Sequence, residues 1–132
     1  MISCIALDDE PLALELIRTY AAQVPWLDLR KTFTRASEAR QWLVDFPVDL
    51  IFLDIQMPDI NGVEFYKSAG QETPVIFTAA YSQYAVTGFD LKAVDYLLKP
   101  FTLSRFVQAA EQARVYIQAR RDDAPAEQKV LQ

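Results

Sequence analysis

Five residues of this 132-residue chain have types that could do chemistry together. They are the carboxylates of Asp8, Asp9 and Asp54, the hydroxyl of Thr78 and the amine of Lys99. Brought to one place, the carboxylates would repel and raise each other's pKa unless a cation joined them. A donor set made of oxygen, without His or Cys, suits Mg²⁺, which takes few protein ligands and keeps several waters. Such a site keeps a position open for a phosphoryl oxygen. A nearby lysine and hydroxyl then supply the remaining positive charge and a hydrogen bond, and phosphoryl transfer asks mainly for positioning and charge neutralisation of this kind. An aspartate can itself be the nucleophile, giving an aspartyl phosphate. Asp54 is the best placed for that role because it follows the most apolar run of the chain. Taken singly, each residue also has an ordinary use: Asp8-Asp9-Glu10 suits a helix start, where acidic groups meet the positive end of the dipole.

Composition removes several other chemistries. The chain has no histidine, which excludes Ser-His and Cys-His dyads, a histidine phosphoryl carrier and the usual zinc sets. Its one cysteine, Cys4, cannot form an intrachain disulfide and reads as a buried strand residue. A net charge of −5 opposes nucleic-acid binding through a basic face. At 52% hydrophobic and 12% aromatic the chain can build a core. Its start reaches Asp8-Asp9-Glu10 too early for a signal peptide, and no apolar run approaches the roughly 18–20 residues that cross a bilayer. The expectation is a cytoplasmic protein with no membrane contact.

The elements that must position the five residues follow from periodicity. Ile2–Leu7 reads as a buried strand, and from Pro11 a helical stripe runs through Leu12, Leu16, Ile17, Tyr20, Ala21 and Val24 until Pro25. Leu27–Thr34 is an edge-type strand and Ser37–Phe46 a helix. Asp49–Leu53 is a strand ending at Asp54, followed by a loop through Met57-Pro58 and Asn61-Gly62 into a helix over 63–69. Pro74–Thr78 and Val94–Leu98 are strands, with a helix over 81–91 between them. A long helix from Thr102 to Arg120 offers Leu103, Phe106, Val107, Ala110, Ala113, Val115 and Ile117 to a buried face. Alternating strands and helices predict a doubly wound α/β domain, a five-stranded parallel sheet with helices on both faces. Right-handed crossovers then bring Asp8, Asp9, Asp54, Thr78 and Lys99 to the C-terminal rim, where such folds bind ligands. The domain expectation is 1–121, with 122–132 a linker or frayed tail.

These residues, at this spacing, resemble the receiver domain of bacterial two-component response regulators. The likeness is carried by Ala6-Leu7-Asp8-Asp9-Glu10-Pro11, by Leu50-Ile51-Phe52-Leu53-Asp54-Ile55-Gln56-Met57-Pro58 with Asn61-Gly62, by Val75-Ile76-Phe77-Thr78-Ala79, and by Asp95-Tyr96-Leu97-Leu98-Lys99-Pro100-Phe101. The resemblance implies the flavodoxin-like strand order 2-1-3-4-5. It implies that Asp54 accepts a phosphoryl group from a sensor histidine kinase. Asp9, Asp54 and the main-chain carbonyl of Gln56 would ligate Mg²⁺, with Asp8 holding metal-bound water. Lys99 would pair with the acceptor and the phosphoryl oxygens, Thr78 would hydrogen-bond the phosphoryl group, and the Ala79 main-chain N–H would assist. It implies a cis Lys99–Pro100 bond, and a switch in which Thr78 moves and Tyr96 turns inward. The surface of the fourth helix, fifth strand and fifth helix would then change shape and pair with a second copy. The positions of Gln56 and Ala80 are ones that tune aspartyl-phosphate lifetime in similar domains. The implied domain is no turnover enzyme, though it would catalyse its own aspartyl phosphorylation and dephosphorylation.

Residues 80–89 together with 95–101 look most like receivers joined to a LytTR-type DNA-binding domain. The chain then reads as a receiver fragment ending in linker sequence, and the alternatives are a stand-alone receiver and a pseudo-receiver acting by protein–protein interaction. A haloacid-dehalogenase-like phosphatase would want a second Asp two residues after the nucleophile, where this chain has Gln56. A flavodoxin-like FMN protein would want a hydroxyl- or Gly-rich phosphate loop where this chain has Asp8-Asp9-Glu10-Pro11, which repels phosphate.

Overall fold

A computed structural model describes residues 1–58, 60–69, 72–80 and 93–122. The helix expected over 81–91 and the tail over 123–132 lie outside the described residues. Strands β1 (Ile2–Leu7), β2 (Leu27–Phe33), β3 (Leu50–Asp54), β4 (Val75–Ala79) and β5 (Asp95–Leu98) form one sheet in the order 2-1-3-4-5. All four pairings are parallel. Helices α1 (Pro11–Ala21), α2 (Ala36–Asp45) and α3 (Gly62–Ala69) connect the first four strands, and a C-terminal helix spans Leu103–Asp122.

The sheet splits its side chains by parity, as a pleated strand must. Ile2, Cys4 and Ala6 of β1, Leu50 and Phe52 of β3, Ile76 of β4 and Leu97 of β5 pack with α1 and the C-terminal helix. Ile5 and Leu7, Ile51 and Leu53, Val75 and Phe77 point the other way, into a second core with Ala36 and Ala39 of α2 and Phe65 of α3. Both faces are covered, which is why β1, β3 and β4 are apolar on both sides apart from Ser3, Asp54 and Thr78. β2 and β5 are the edges. β2 carries exposed Arg30 and Lys31, charges that discourage further pairing.

Two expected helix faces are corrected. In α1 the buried residues are Leu14, Ile17 and Ala21, whereas Leu12 is 83% exposed. In the C-terminal helix, Phe106, Ala109, Ala110, Ala113 and Ile117 form the buried stripe. Val115 is 65% exposed and Leu103 partly exposed. At 100° per residue, position 115 lies across the helix from 113 and 117, so counting it with them mixes two faces. Helix α1 starts at Pro11, as expected, but ends at Ala21, well before Pro25.

Candidate functional site

The parity that sorts the core also aims the site. Asp8 continues the series Cys4, Ala6; Asp54 continues Leu50, Phe52; Thr78 follows Ile76; and Lys99 follows Leu97. All four leave the sheet's C-terminal rim on the α1 side. Asp54 and Thr78 are register partners on β3 and β4. The Asp8 N–H donates to the Phe33 carbonyl at 3.1 Å, and the Lys99 N–H to that of Ala79 at 2.7 Å, so main-chain bonds fix both residues beyond their strands.

Lys99 is the hub. Its Nζ lies 2.8 Å from Asp8 Oδ2, 3.4 Å from Asp54 Oδ2 and 3.8 Å from Glu10 Oε1. Asp8 and Asp54 are buried, so charge on either is expensive without a partner. Burial, then the charge of Asp8, push the Asp54 carboxyl up to about 7, although Lys99 and the Gln56 N–H pull the other way. Burial alone would lower the Lys99 ammonium; the hydrogen bond to Asp8 and the charges of Asp8, Asp54 and Glu10 outweigh it and hold the group above its ordinary value. One lysine thus serves two buried carboxylates incompletely.

The rest of the expected set is placed as follows. Asp9 is half-buried, and Asp8, Asp9 and Glu10 each bring a carboxylate oxygen within 4.8 Å of the others. Gln56 is exposed, and its N–H donates to Asp54 Oδ1 at 3.1 Å. Thr78 is 1% exposed and its Oγ1 has no hydrogen-bond partner among the described residues. Ala79 is buried beside Lys99 at the end of β4. The Lys99–Pro100 bond is cis. Tyr96 is half-buried and packs against the core on the α2 and α3 side, the face opposite the acidic site. An all-oxygen cluster next to an under-neutralised buried carboxylate fits a hard divalent cation such as Mg²⁺.

Three contributors have roles that the sequence pattern does not assign. Glu10 reaches Lys99, and its own N–H donates to Asp8 Oδ1 at 2.9 Å; its place directly after the acidic pair is the available signal. Gly62 sits against the acceptor strand so closely that a Cβ would lie 2.2 Å from the Asp54 carbonyl oxygen. Arg105 pairs with Asp95 through two bonds of 2.8 and 2.9 Å and donates to the Tyr96 carbonyl at 3.2 Å, while Asp95 Oδ1 accepts the Tyr96 N–H at 2.7 Å. Nothing in the spacing of those residues announces the pair.

A parallel sheet ordered 2-1-3-4-5, with a lysine bridging buried carboxylates at its C-terminal rim, defines a doubly wound domain whose acidic site lies where such folds bind ligands. Residues 4–111 match the response regulator receiver domain, and the chain belongs to that family of two-component regulators. It is 34% identical over 128 residues to an uncharacterized response regulatory protein of Vibrio cholerae, covering 94% of this chain and 48% of that protein. It is also 34% identical to the sensory transduction protein LytT of Enterococcus faecalis, covering 83% of this chain and 46% of that one. The chain therefore spans about half the length of the curated relatives it matches. The crystal structure of the response regulatory domain of protein mrkE from Klebsiella pneumoniae superposes with a TM-score of 0.81 at 26% identity, over 89% of this chain and 99% of that one. Receivers of this family generally bind Mg²⁺ at an acidic cluster and are phosphorylated by sensor histidine kinases. No helix among the described residues is long and apolar enough to cross a membrane.

Proposed function

We propose that Asp54 is the phosphoacceptor of this receiver and takes its phosphoryl group from the phosphohistidine of a sensor kinase. The observation that carries the reading is the pairing of a buried, lysine-bridged Asp54 with the Thr78 hydroxyl, which has no partner among the described residues, across one register position. An Asp54 carboxylate oxygen forms the new O–P bond as the P–N bond to the donor imidazole breaks, and the imidazole leaves with the bonding pair. Lys99 turns from Asp54 to the incoming phosphoryl oxygens, which keeps the negative charge of the phosphorylated rim neutralised. Thr78 Oγ1 donates to one phosphoryl oxygen and satisfies its own burial in doing so, and the Ala79 N–H gives a second donor. Asp9, Asp54 and the Gln56 carbonyl would hold Mg²⁺, with Asp8 binding its water. That ion, when bound, supplies the positive charge that Lys99 alone does not provide to the transferring group.

The output proposed for the domain is the switch that its family resemblance implies. Movement of Thr78 toward the phosphoryl group leaves space at β4, Tyr96 turns into it, and the face around β5 and the C-terminal helix changes shape. This face pairs two copies on phosphorylation. Residues 1–121 form the receiver unit and 122–132 a linker; the likeness of residues 80–89 and 95–101 to LytTR-type receivers favours an output through DNA binding by another domain, and the alternative is a stand-alone receiver acting by protein–protein interaction. The domain itself turns over no external substrate beyond its own phosphorylation and dephosphorylation. The test is phosphoryl incorporation from acetyl phosphate, read by intact mass. One phosphoryl group is expected with Mg²⁺ and none in EDTA or in Asp54→Asn. Incorporation that survives Asp54→Asn would overturn the assignment.

A further inference from the structure

The segment that carries Lys99 from β5 to the C-terminal helix is fixed at three points. At its start the Lys99 N–H donates to the Ala79 carbonyl at 2.7 Å. At its end Thr102 caps the helix: its Oγ1 accepts the Arg105 N–H at 3.1 Å, and its carbonyl accepts the Phe106 N–H at 3.0 Å. Between these anchors lies buried Phe101, whose carbonyl accepts the Tyr20 hydroxyl of α1 at 3.1 Å. A main-chain carbonyl in such a place asks for a donor, and Tyr20 supplies it from 81 residues away in sequence. The Tyr20 ring is itself held, with its centre 6.1 Å from that of Phe101 and 5.6 Å from that of Phe106.

Helix α1 therefore grips the lysine segment twice. Directly before its first turn stand Asp8 and Glu10, which pair with Lys99 Nζ at 2.8 and 3.8 Å. Tyr20 stands about 14 Å further along the helix axis from Pro11. The lysine side chain is a flexible four-carbon stem with rotatable donors, so the peptide it springs from decides which oxygens its Nζ can serve. Phosphoryl transfer asks more of that peptide, because Nζ must leave Asp54 for the incoming phosphoryl oxygens, and small misplacements are costly in rate. We propose that Tyr20 is a positioning residue for phosphoryl transfer: through the Phe101 carbonyl, its hydroxyl fixes the main chain from which Lys99 reaches the rim. The inference rests on the reading of Asp54 as acceptor. Tyr20 acts through Lys99 and not on the phosphoryl group itself.

The experiment is a double-mutant cycle on the whole chain, with labelling by acetyl phosphate in Mg²⁺ followed as intact mass against time. Tyr20→Phe keeps the ring and removes the donor, and labelling slows about fivefold, the equilibrium worth of one ordinary hydrogen bond. Added to Lys99→Ala, the same change slows labelling no further, because residues that act as one unit are not additive. Val24→Ala, in the turn between α1 and β2, thins the same apolar layer and keeps the rate of the unaltered chain. An unchanged rate in Tyr20→Phe, an equal loss in Val24→Ala, or a further fivefold loss on adding Tyr20→Phe to Lys99→Ala would each make Tyr20 a packing residue. Any of these overturns the inference and leaves Asp54 as acceptor. No label on the unaltered chain, or label that persists in Asp54→Asn, would overturn that reading and the inference with it.

Discussion

At the scale of single residues, the site is governed by a shortage of positive charge. Asp8 and Asp54 are both buried, and Lys99 stands 2.8 Å from one and 3.4 Å from the other. Burial and the Asp8 charge raise the Asp54 carboxyl to about 7, above its value of 3.8 in the unfolded chain. Between those two values the native protein keeps a proton that the unfolded chain has released. The stability this confers is complete below about pH 4 and is lost as pH rises through about 7. In EDTA, urea midpoints of the unaltered chain should therefore fall from pH 5 to pH 8, and Asp54→Asn should flatten that fall and be the more stable at pH 8, by of order 2 kcal/mol. Parallel profiles for the two proteins would show that Asp54 is ionised throughout. Lys99→Ala should slow labelling by acetyl phosphate by about 10²-fold or more, the usual cost of removing a donor aimed at developing charge; an unchanged rate would place the needed charge elsewhere. Cys4 behaves oppositely to a reactive thiol. Burial, and then Asp28 and Asp49, push it far up, so the native chain should not react with a disulfide reagent at pH 8, while the urea-unfolded chain reacts fully.

At the scale of elements, the loops that leave β3 and β5 do the positioning. Gly62 allows the first turn of α3 to lie on the Asp54 carbonyl, and its N–H donates to the Ile55 carbonyl at 2.7 Å. A methyl group there meets main chain, which cannot swing aside. Gly62→Ala should cost about 1–3 kcal/mol in a urea titration. It should also slow labelling more than a core variant such as Val24→Ala, because the strain falls on the acceptor's own peptide. Equal labelling by the two variants would make Gly62 structural only. At the other edge, Asp95 and Arg105 occupy the N–H and carbonyl of Tyr96, so the edge strand β5 is tied to the C-terminal helix. Much of this arrangement is legible in the sequence. Strand ends come out within a residue or two because apolar runs terminate sharply at Asp8, Asp54 and Lys99. The helix faces are less legible. Leu12 and Val115 are apolar and near the right spacing, yet both are exposed, and only the packing partner decides which side of an apolar-rich helix is covered. The Arg105–Asp95 pair joins residues ten apart on different elements and leaves no periodic trace.

At the scale of the whole molecule, one rule of strand geometry builds both the core and the site. Alternate residues of β1, β3 and β4 fill two separate apolar layers, and the last residue of one parity series in each strand is polar. The site needs no separate scaffold, because it is the rim of the layer under α1 and the C-terminal helix. Phe106 is the keystone of that layer, stacked on Phe52 with ring centres 5.1 Å apart. Phe106→Ala should cost about 3–5 kcal/mol in a urea titration, and a loss below 1 kcal/mol would mean that Phe106 is not the keystone of that layer. The convergence on the rim is legible in the alternation of strands and helices along the chain, since right-handed crossovers send the loops after every parallel strand to the same side. That Asp8, Asp54, Thr78 and Lys99 share a parity is also written in the strands, whereas the sharing of Lys99 among Asp8, Asp54 and Glu10 emerges only from the distances. The central claim is that Asp54, and neither of the carboxylates beside it at the rim, receives the phosphoryl group. Borohydride reduces an acyl phosphate to the alcohol, so the labelled chain can be reduced, digested and mapped by peptide mass. Reduction confined to Asp54 is the predicted result; reduction at Asp8 or Asp9 would contradict the account.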